Sequence, residues 1–153
     1  NITLGLTRKT DIINEYLEMV NLKKTIEKMP HKLNSSIVEK GVNLSGGEKQ
    51  RLALVRGLMA AENKEILLLD EPTSSVDSDN ELRIYKNIFS KFKDKTIISS
   101  IHRLHLLDLF DKIYFFENGK IIASGNLQEL IKTSKEFKSI WENYKISNKK
   151  NQS

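Results

Sequence analysis

The sequence predicts an α/β domain on a mostly parallel sheet, preceded by a small helical unit. Ile66 to Asp70 and Thr96 to Ile101 read as short strands of the apolar kind that a parallel sheet buries on both faces. Helix-periodic stretches precede and separate them, giving the strand–helix–strand rhythm of an α/β domain. At 153 residues, 39% hydrophobic and 29% charged, the chain has the length and composition of one ordinary globular domain.

In chain order, Thr10 to Val20 places Ile12, Ile13, Tyr16, Leu17 and Val20 at helical spacing, and a second short helical stretch ends near Pro30. Leu33 to Leu44 reads as irregular, punctuated by Gly41. The next helix runs from Glu48 to about Ala61 and buries Leu52, Val55, Leu58 and Met59 on one stripe. Ser45 and Glu48 have capping-box spacing, so this helix starts at the Gly46-Gly47 pair. After the first strand, Asp79 to Phe92 reads as a helix with Leu82, Tyr85, Ile88, Phe89 and Phe92 inward. Arg103 to Phe110 reads as a short amphipathic helix after the second strand. Lys112 to Phe116 and Lys120 to Ser124 flank Glu117-Asn118-Gly119, and Asn-Gly between apolar runs signals a hairpin. Helices around Leu127 to Lys132 and Ser134 to Tyr144 follow, and 145–153 reads as a polar, basic, frayed tail. Asn1 is not an initiator Met and runs straight into Ile2-Thr3-Leu4-Gly5-Leu6, so the sequence reads as cut from a longer one.

Bulk properties exclude several function classes. The formal charge of +5 comes from Lys and Arg spread along helices rather than gathered in a block, which describes a solvated surface and gives no expectation of direct nucleic-acid binding. The absence of cysteine removes disulfides and thiolate metal sites and fits a reducing cytosol. The fully apolar runs, Ile66 to Leu69 among the longest, are far short of a membrane span, so a membrane link must come through a partner or through further sequence.

Chemistry concentrates where strands and helices begin and end. Asp70 and Glu71 follow an apolar strand, and ligands of open α/β sheets bind outside the carboxyl ends of the strands. Two such carboxylates suit a metal-nucleotide, the first serving magnesium through its water shell and the second the attacking water. Ser45-Gly46-Gly47 puts a hydroxyl and two bare backbones at a helix N-terminus, which attracts a phosphate; an N-cap with a flexible entry explains the same residues. His102 follows the second strand and so falls on the same sheet edge as Asp70 and Glu71. Asp77 has the position of an N-cap for the helix after it. No Gly-x-x-x-x-Gly-Lys-Ser/Thr phosphate loop occurs in the sequence; its Gly-Lys pair, Gly119-Lys120, continues into Ile121.

Leu44-Ser45-Gly46-Gly47-Glu48-Lys49-Gln50-Arg51 resembles the signature motif of the ATP-binding cassette (ABC) ATPases, and Ile66-Leu67-Leu68-Leu69-Asp70-Glu71-Pro72 resembles their Walker B motif. Ser99-Ser100-Ile101-His102-Arg103-Leu104 is similar to the switch-histidine segment, Asp77 to the D-loop aspartate, and Ile37-Val38-Glu39-Lys40-Gly41 to the exporter-type X-loop. The resemblance implies a partial P-loop NTPase (RecA-like) core plus the ABC α-helical subdomain, the latter over about 8–62 and the segment from Walker B to the C-terminal helices over 63–144. It implies ATP and Mg²⁺ as ligands, with Asp70 for the metal, Glu71 as general base, and His102 orienting base and water. Leu44, Ser45, Gly46, Gly47, Glu48 and Asp77 would act across a head-to-tail dimer of two such domains, closing on ATP held by the partner's phosphate loop. It further implies a transmembrane domain as partner and a place on the cytoplasmic face of the cell membrane. The expected function is therefore the ATPase part of an ABC exporter, inactive without its phosphate loop. A soluble ABC ATPase acting on nucleic acid or ribosomes is the alternative, as is a remnant that only donates its signature; intact Asp70, Glu71 and His102 argue against the remnant.

Overall fold

The computed structural model describes residues 8–35 and 44–150, the last three of them by backbone alone. The X-loop-like segment 37–41 lies outside the described residues. Two compact units divide the chain, Asn1–Ser100 and Ile101–Ser153.

In the first unit, α1 (Thr10–Met19) buries Tyr16, Leu17 and Met19, and the short α2 (Lys23–Glu27) buries Ile26. A 3-10 turn at Lys32–Asn34 follows. The helix α3 (Gly46–Ala60) begins at the N-cap Ser45 and buries Leu52, Leu54, Val55, Leu58 and Met59, the expected stripe plus Leu54. Its C-terminal end is fastened by Lys95, whose Nζ donates to the carbonyls of Ala61, Glu62 and Lys64, a cation satisfying the last carbonyls of a helix. At its other flank Glu62 accepts from Arg8 at 2.6 Å and from the Tyr16 hydroxyl at 3.0 Å, fixing α1 to the end of α3.

Strands β1 (Ile66–Asp70) and β2 (Thr96–Ser100) pair in parallel, with Leu68 opposite Ile98 and Asp70 opposite Ser100. The helix between them, α4 (Ser78–Lys91), buries Glu81, Ile84, Tyr85 and Ile88. Its inward face is turned slightly from the expected one, because Ile84 is buried while Leu82 and Phe89 sit at the margin. The Tyr85 hydroxyl meets Ser99 Oγ at 2.8 Å, so α4 covers the sheet face that carries Leu67, Leu69, Ile97 and Ser99. The expectation that both strands are buried on both faces fails here. Ile66 is 57%, Leu68 74% and Ile98 54% exposed, since the residues alternating with the covered ones point away from α4.

The second unit opens with a 3-10 helix at Leu104–Leu109, where the pattern suggested an amphipathic helix. An antiparallel hairpin of β3 (Ile113–Glu117) and β4 (Lys120–Gly125) follows. Its two-residue turn, Asn118 (φ 48°) and Gly119 (φ 75°), has the two left-handed residues of a type I′ turn, as Asn-Gly predicts. The short α5 (Leu127–Thr133) is capped by Asn126 and Glu129 in a reciprocal capping box. The last helix, α6 (Lys135–Lys150), continues beyond Tyr144 through residues that the sequence pattern assigned to a frayed tail. Leu107, Leu127, Leu130 and Phe137 form this unit's core, with Phe115 and Trp141 packed against it. The rings of Phe115 and Phe137 meet edge to face at 5.5 Å.

Candidate functional site

The first unit brings the start of α3 and the end of β1 together. At the start of α3 the capping box forms as its spacing requires. Glu48 N–H donates to Ser45 Oγ at 3.3 Å and Ser45 N–H to Glu48 Oε2 at 2.8 Å. Thr25 Oγ1 also donates to Glu48, at 3.1 Å. The backbone bond from Ser45 is the largest of the influences that hold the Glu48 carboxyl below its ordinary value of 4.5. Leu44, 6% exposed, anchors the entry to the helix in the core.

The two glycines differ. A methyl group at Gly46 would meet nothing within 4 Å, whereas one at Gly47 would stand 3.0 Å from the Ser75 carbonyl oxygen and 3.3 Å from Ser75 Cβ. Gly46 therefore opens onto free space, and Gly47 admits a neighbouring turn of the same chain.

That turn leaves β1. Asp70 ends the strand, and its Oδ1 accepts a hydrogen bond from Ser100 Oγ at 2.7 Å. The same Ser100 oxygen accepts from the Glu71 N–H at 3.2 Å, so one hydroxyl on β2 holds both carboxylate residues in register. Glu71 takes a left-handed backbone conformation, φ 42°, uncommon for a residue with a side chain. The conformation turns the chain sharply at Pro72, and both carboxylate-bearing residues are exposed. Three bonds from Gln50 on α3 fasten the turn: its Nε2 donates to Glu71 O at 2.9 Å and to Ser74 Oγ at 2.8 Å, and its Oε1 accepts from Ser75 N–H at 3.2 Å. Beneath it, Thr73 Oγ1 donates to Glu81 Oε1 at 2.6 Å with both residues buried. Asp77 caps α4, accepting from the backbone and side-chain nitrogens of Asn80 at 3.0 and 2.6 Å. These bonds, the side-chain one first, hold the Asp77 carboxyl below its usual range.

Of the residues singled out in the sequence, the unit thus gathers Leu44, Ser45, Gly46, Gly47, Glu48, Asp70, Glu71 and Asp77 around two chain segments. His102 belongs to the second unit, where it stands exposed in the segment after β2. Sequence reasoning gave no role at the site to Gln50, Thr73, Glu81 or Ser100. A signal existed for Gln50, which lies three positions after Gly47 and so on the same helix face.

Asp70 suits magnesium, which keeps much of its water and takes one or two carboxylates with substrate phosphates. Among the described residues no group of three or more His, Cys, Asp or Glu side chains could hold a metal ion by itself. Among the described residues, too, no helix is long and apolar enough to cross a membrane.

Comparison with known proteins gives the same family. The sequence profile described as ABC transporter matches residues 5–74. A "Multidrug resistance ABC transporter ATP-binding and permease protein" of Lactococcus lactis subsp. lactis (strain IL1403) is 39% identical over 137 residues, covering 87% of this chain and 22% of that protein. The "Multidrug resistance-like ATP-binding protein MdlA" of Buchnera aphidicola subsp. Schizaphis graminum (strain Sg) is 39% identical over 149 residues, 95% of this chain and 25% of that protein. Among solved structures, "Structure of a bacterial Atm1-family ABC exporter with ATP bound" superposes with a TM-score of 0.79 at 26% identity, covering 93% of this chain and 25% of that one. The chain therefore spans about a quarter or less of the length of these relatives, and with its mixed α/β fold, its Ser45-Gly46-Gly47 helix start and its Asp70-Glu71 strand end it belongs to the ABC transporter family.

Proposed function

We propose that this chain supplies the signature, magnesium-binding and general-base elements of an ABC exporter's ATP-binding domain. Residues of about 8–62 form its helical subdomain and 63–144 the portion from Walker B to the C-terminal helices. Two such domains pair head to tail, and a transmembrane domain converts ATP hydrolysis into export at the cytoplasmic face of the membrane. The observation that carries the reading is the open space at Gly46, on a helix start whose capping box is satisfied within the chain. An anion arriving from a partner meets the positive end of α3 and no side chain.

Within this scheme Asp70, steadied by Ser100, holds the magnesium that arrives with ATP. Bound there, the ion would neutralise phosphate charge. Glu71 takes the proton of the attacking water, and its exposed place at the strand end leaves it accessible to that water. His102 orients base and water, and Asp77 speaks across the dimer while capping α4. The phosphate loop is not in this sequence, so the chain alone binds MgATP weakly and turns it over negligibly, which titration calorimetry checks.

A mixed-dimer experiment tests the head-to-tail arrangement. Gly46→Asp adds a carboxylate and a Cβ where the trans phosphate approaches. Pairing a Gly46→Asp subunit with one lacking the phosphate-loop Lys places both defects in one composite site and preserves turnover at the other. Pairing a subunit carrying both changes with wild type damages both sites and abolishes turnover. The reverse order, turnover lost in the first mixture and kept in the second, shows that the signature acts in cis and refutes the arrangement.

A further inference from the structure

We propose that Gln50 is a positioning residue that locks the Glu71 turn onto the first turns of α3, so that the base is aligned only while the signature helix is seated. The proposal rests on the reading of Glu71 as general base and adds the residue that controls its backbone.

Three observations converge on this. First, the Gln50 amide uses both its ends on one short segment. Its nitrogen serves the Glu71 carbonyl and the Ser74 hydroxyl, and its oxygen takes the Ser75 amide. Only a side-chain amide combines donor and acceptor in that way: a carboxylate of the same length has no hydrogen to give, and an ammonium has no lone pair to offer. Second, Gly47 stands on the same helix face, and its missing side chain is what lets the Ser75 backbone approach, since a Cβ there would lie 3.0 Å from the Ser75 oxygen. The glycine admits the turn and the glutamine fastens it. Third, the turn carries the left-handed backbone of Glu71 at φ 42°, and a conformation of that kind persists where its surroundings over-determine it. Within the turn Ser74 N–H donates to Glu71 O at 3.3 Å and Val76 N–H to Thr73 O at 2.9 Å. The Gln50 amide adds three more from outside.

The consequence is mechanical. The helix start that meets a partner's nucleotide at Gly46 is joined, four residues further on, to the backbone of the residue that activates water. Displacing α3 displaces the Glu71 carbonyl, and small displacements of a reacting group are costly in rate.

The test compares Gln50→Leu and Gln50→Glu in the intact ATPase that carries this sequence, reading ATP turnover together with residue-resolved hydrogen exchange. Gln50→Leu removes all three bonds; kcat should fall roughly ten- to a hundredfold with KM for ATP changed by less than about twofold. The Ser75 amide should lose protection while the amides of α3 keep theirs. Gln50→Glu keeps an acceptor for Ser75 and sets a carboxylate against the Glu71 carbonyl, so Ser75 protection should persist while kcat still falls. In a Glu71→Gln background Gln50→Leu should lower turnover no further, because the group it positions is gone. Unchanged Ser75 protection in Gln50→Leu, loss of α3 protection in parallel with turnover, or a full additional loss in the double variant would each overturn the proposal. Failure of Glu71→Gln alone to slow hydrolysis would instead overturn the base assignment, and the Ser75 exchange would still decide whether Gln50 holds the turn.

Discussion

Adjacent glycines in one helical turn should respond to the same substitution with opposite signs. Replacing Gly by Ala at a helical position that accommodates it stabilises a protein by about 0.4–1 kcal/mol, mainly by restricting the unfolded chain. At Gly46 the new methyl meets nothing within 4 Å, so the whole gain is expected. In a chain of 153 residues that corresponds to a rise in Tm of about 1–3 °C. At Gly47 the same methyl stands 3.0 Å from the Ser75 carbonyl oxygen and 3.3 Å from its Cβ. The obstacle is backbone held in place by Gln50, not the end of a flexible side chain. Overpacking of this kind costs about 1–3 kcal/mol and outweighs the gain. Gly47→Ala should thus lose about 1–2 kcal/mol net and lower Tm by about 2–6 °C. Urea unfolding and scanning calorimetry of the two variants beside wild type give the answer. If Gly47→Ala stabilises as much as Gly46→Ala, the turn is not packed on α3 and the structural reason for the second glycine is wrong. In the intact ATPase Gly46→Ala should also separate stability from function, gaining the former while slowing turnover, if a partner's phosphate approaches there as proposed.

Glu71→Gln should retain ATP binding and cut turnover roughly 10²–10⁴-fold, the usual worth of a general base, while Asp70→Asn should weaken the magnesium dependence itself; identical behaviour of the two across a magnesium titration contradicts the division of roles. Thr73→Val leaves the buried Glu81 carboxylate without the Thr73 hydroxyl and should cost about 1–3 kcal/mol in urea unfolding; a neutral result would show that Glu81 finds full compensation elsewhere. The Glu48 carboxyl is held below 4.5 in the fold, first by the Ser45 backbone bond, so its contribution to stability is complete above its unfolded value and disappears as pH falls through the lower folded one. Glu48→Gln should therefore flatten the acid limb of stability below about pH 4.5; an unchanged slope would show that the capping carboxylate is not the titrating group.

Much of the fold was legible because it follows local rules. Ser45 and Glu48 announced the start of α3, Asn118-Gly119 the hairpin, and the spacing of Leu52, Val55, Leu58 and Met59 the buried stripe. Ile66, Leu68 and Ile98 resisted the same treatment. Their apolar character fits burial on both sides of a parallel sheet, yet which surfaces are covered depends on where helices pack, and α4 covers only the face of Leu67 and Leu69. The end of α6 was misplaced for a related reason: Ser147, Asn148 and the lysines around them are polar enough for a tail, and polarity alone does not end a helix that is already propagating.

The site divides along the same line. The residues proposed to meet a ligand stood out in the sequence, because nucleotide chemistry demands particular groups at strand and helix ends. Those that hold them in place were missed, since Gln50 reaches residues more than twenty positions away and Ser100 reaches Asp70 across the ladder. A glutamine on a helix and a serine ending a strand are ordinary as sequence. They acquire meaning only when register sets Ser100 beside Asp70 and when the absence of a side chain at Gly47 lets the turn of Glu71 come down on α3. The second glycine of the motif, read from sequence as room for a partner's phosphate, is therefore already occupied by the protein's own backbone. On the proposed head-to-tail reading, access for a partner falls to Gly46 alone of the two, and that assignment is what the paired alanine substitutions decide.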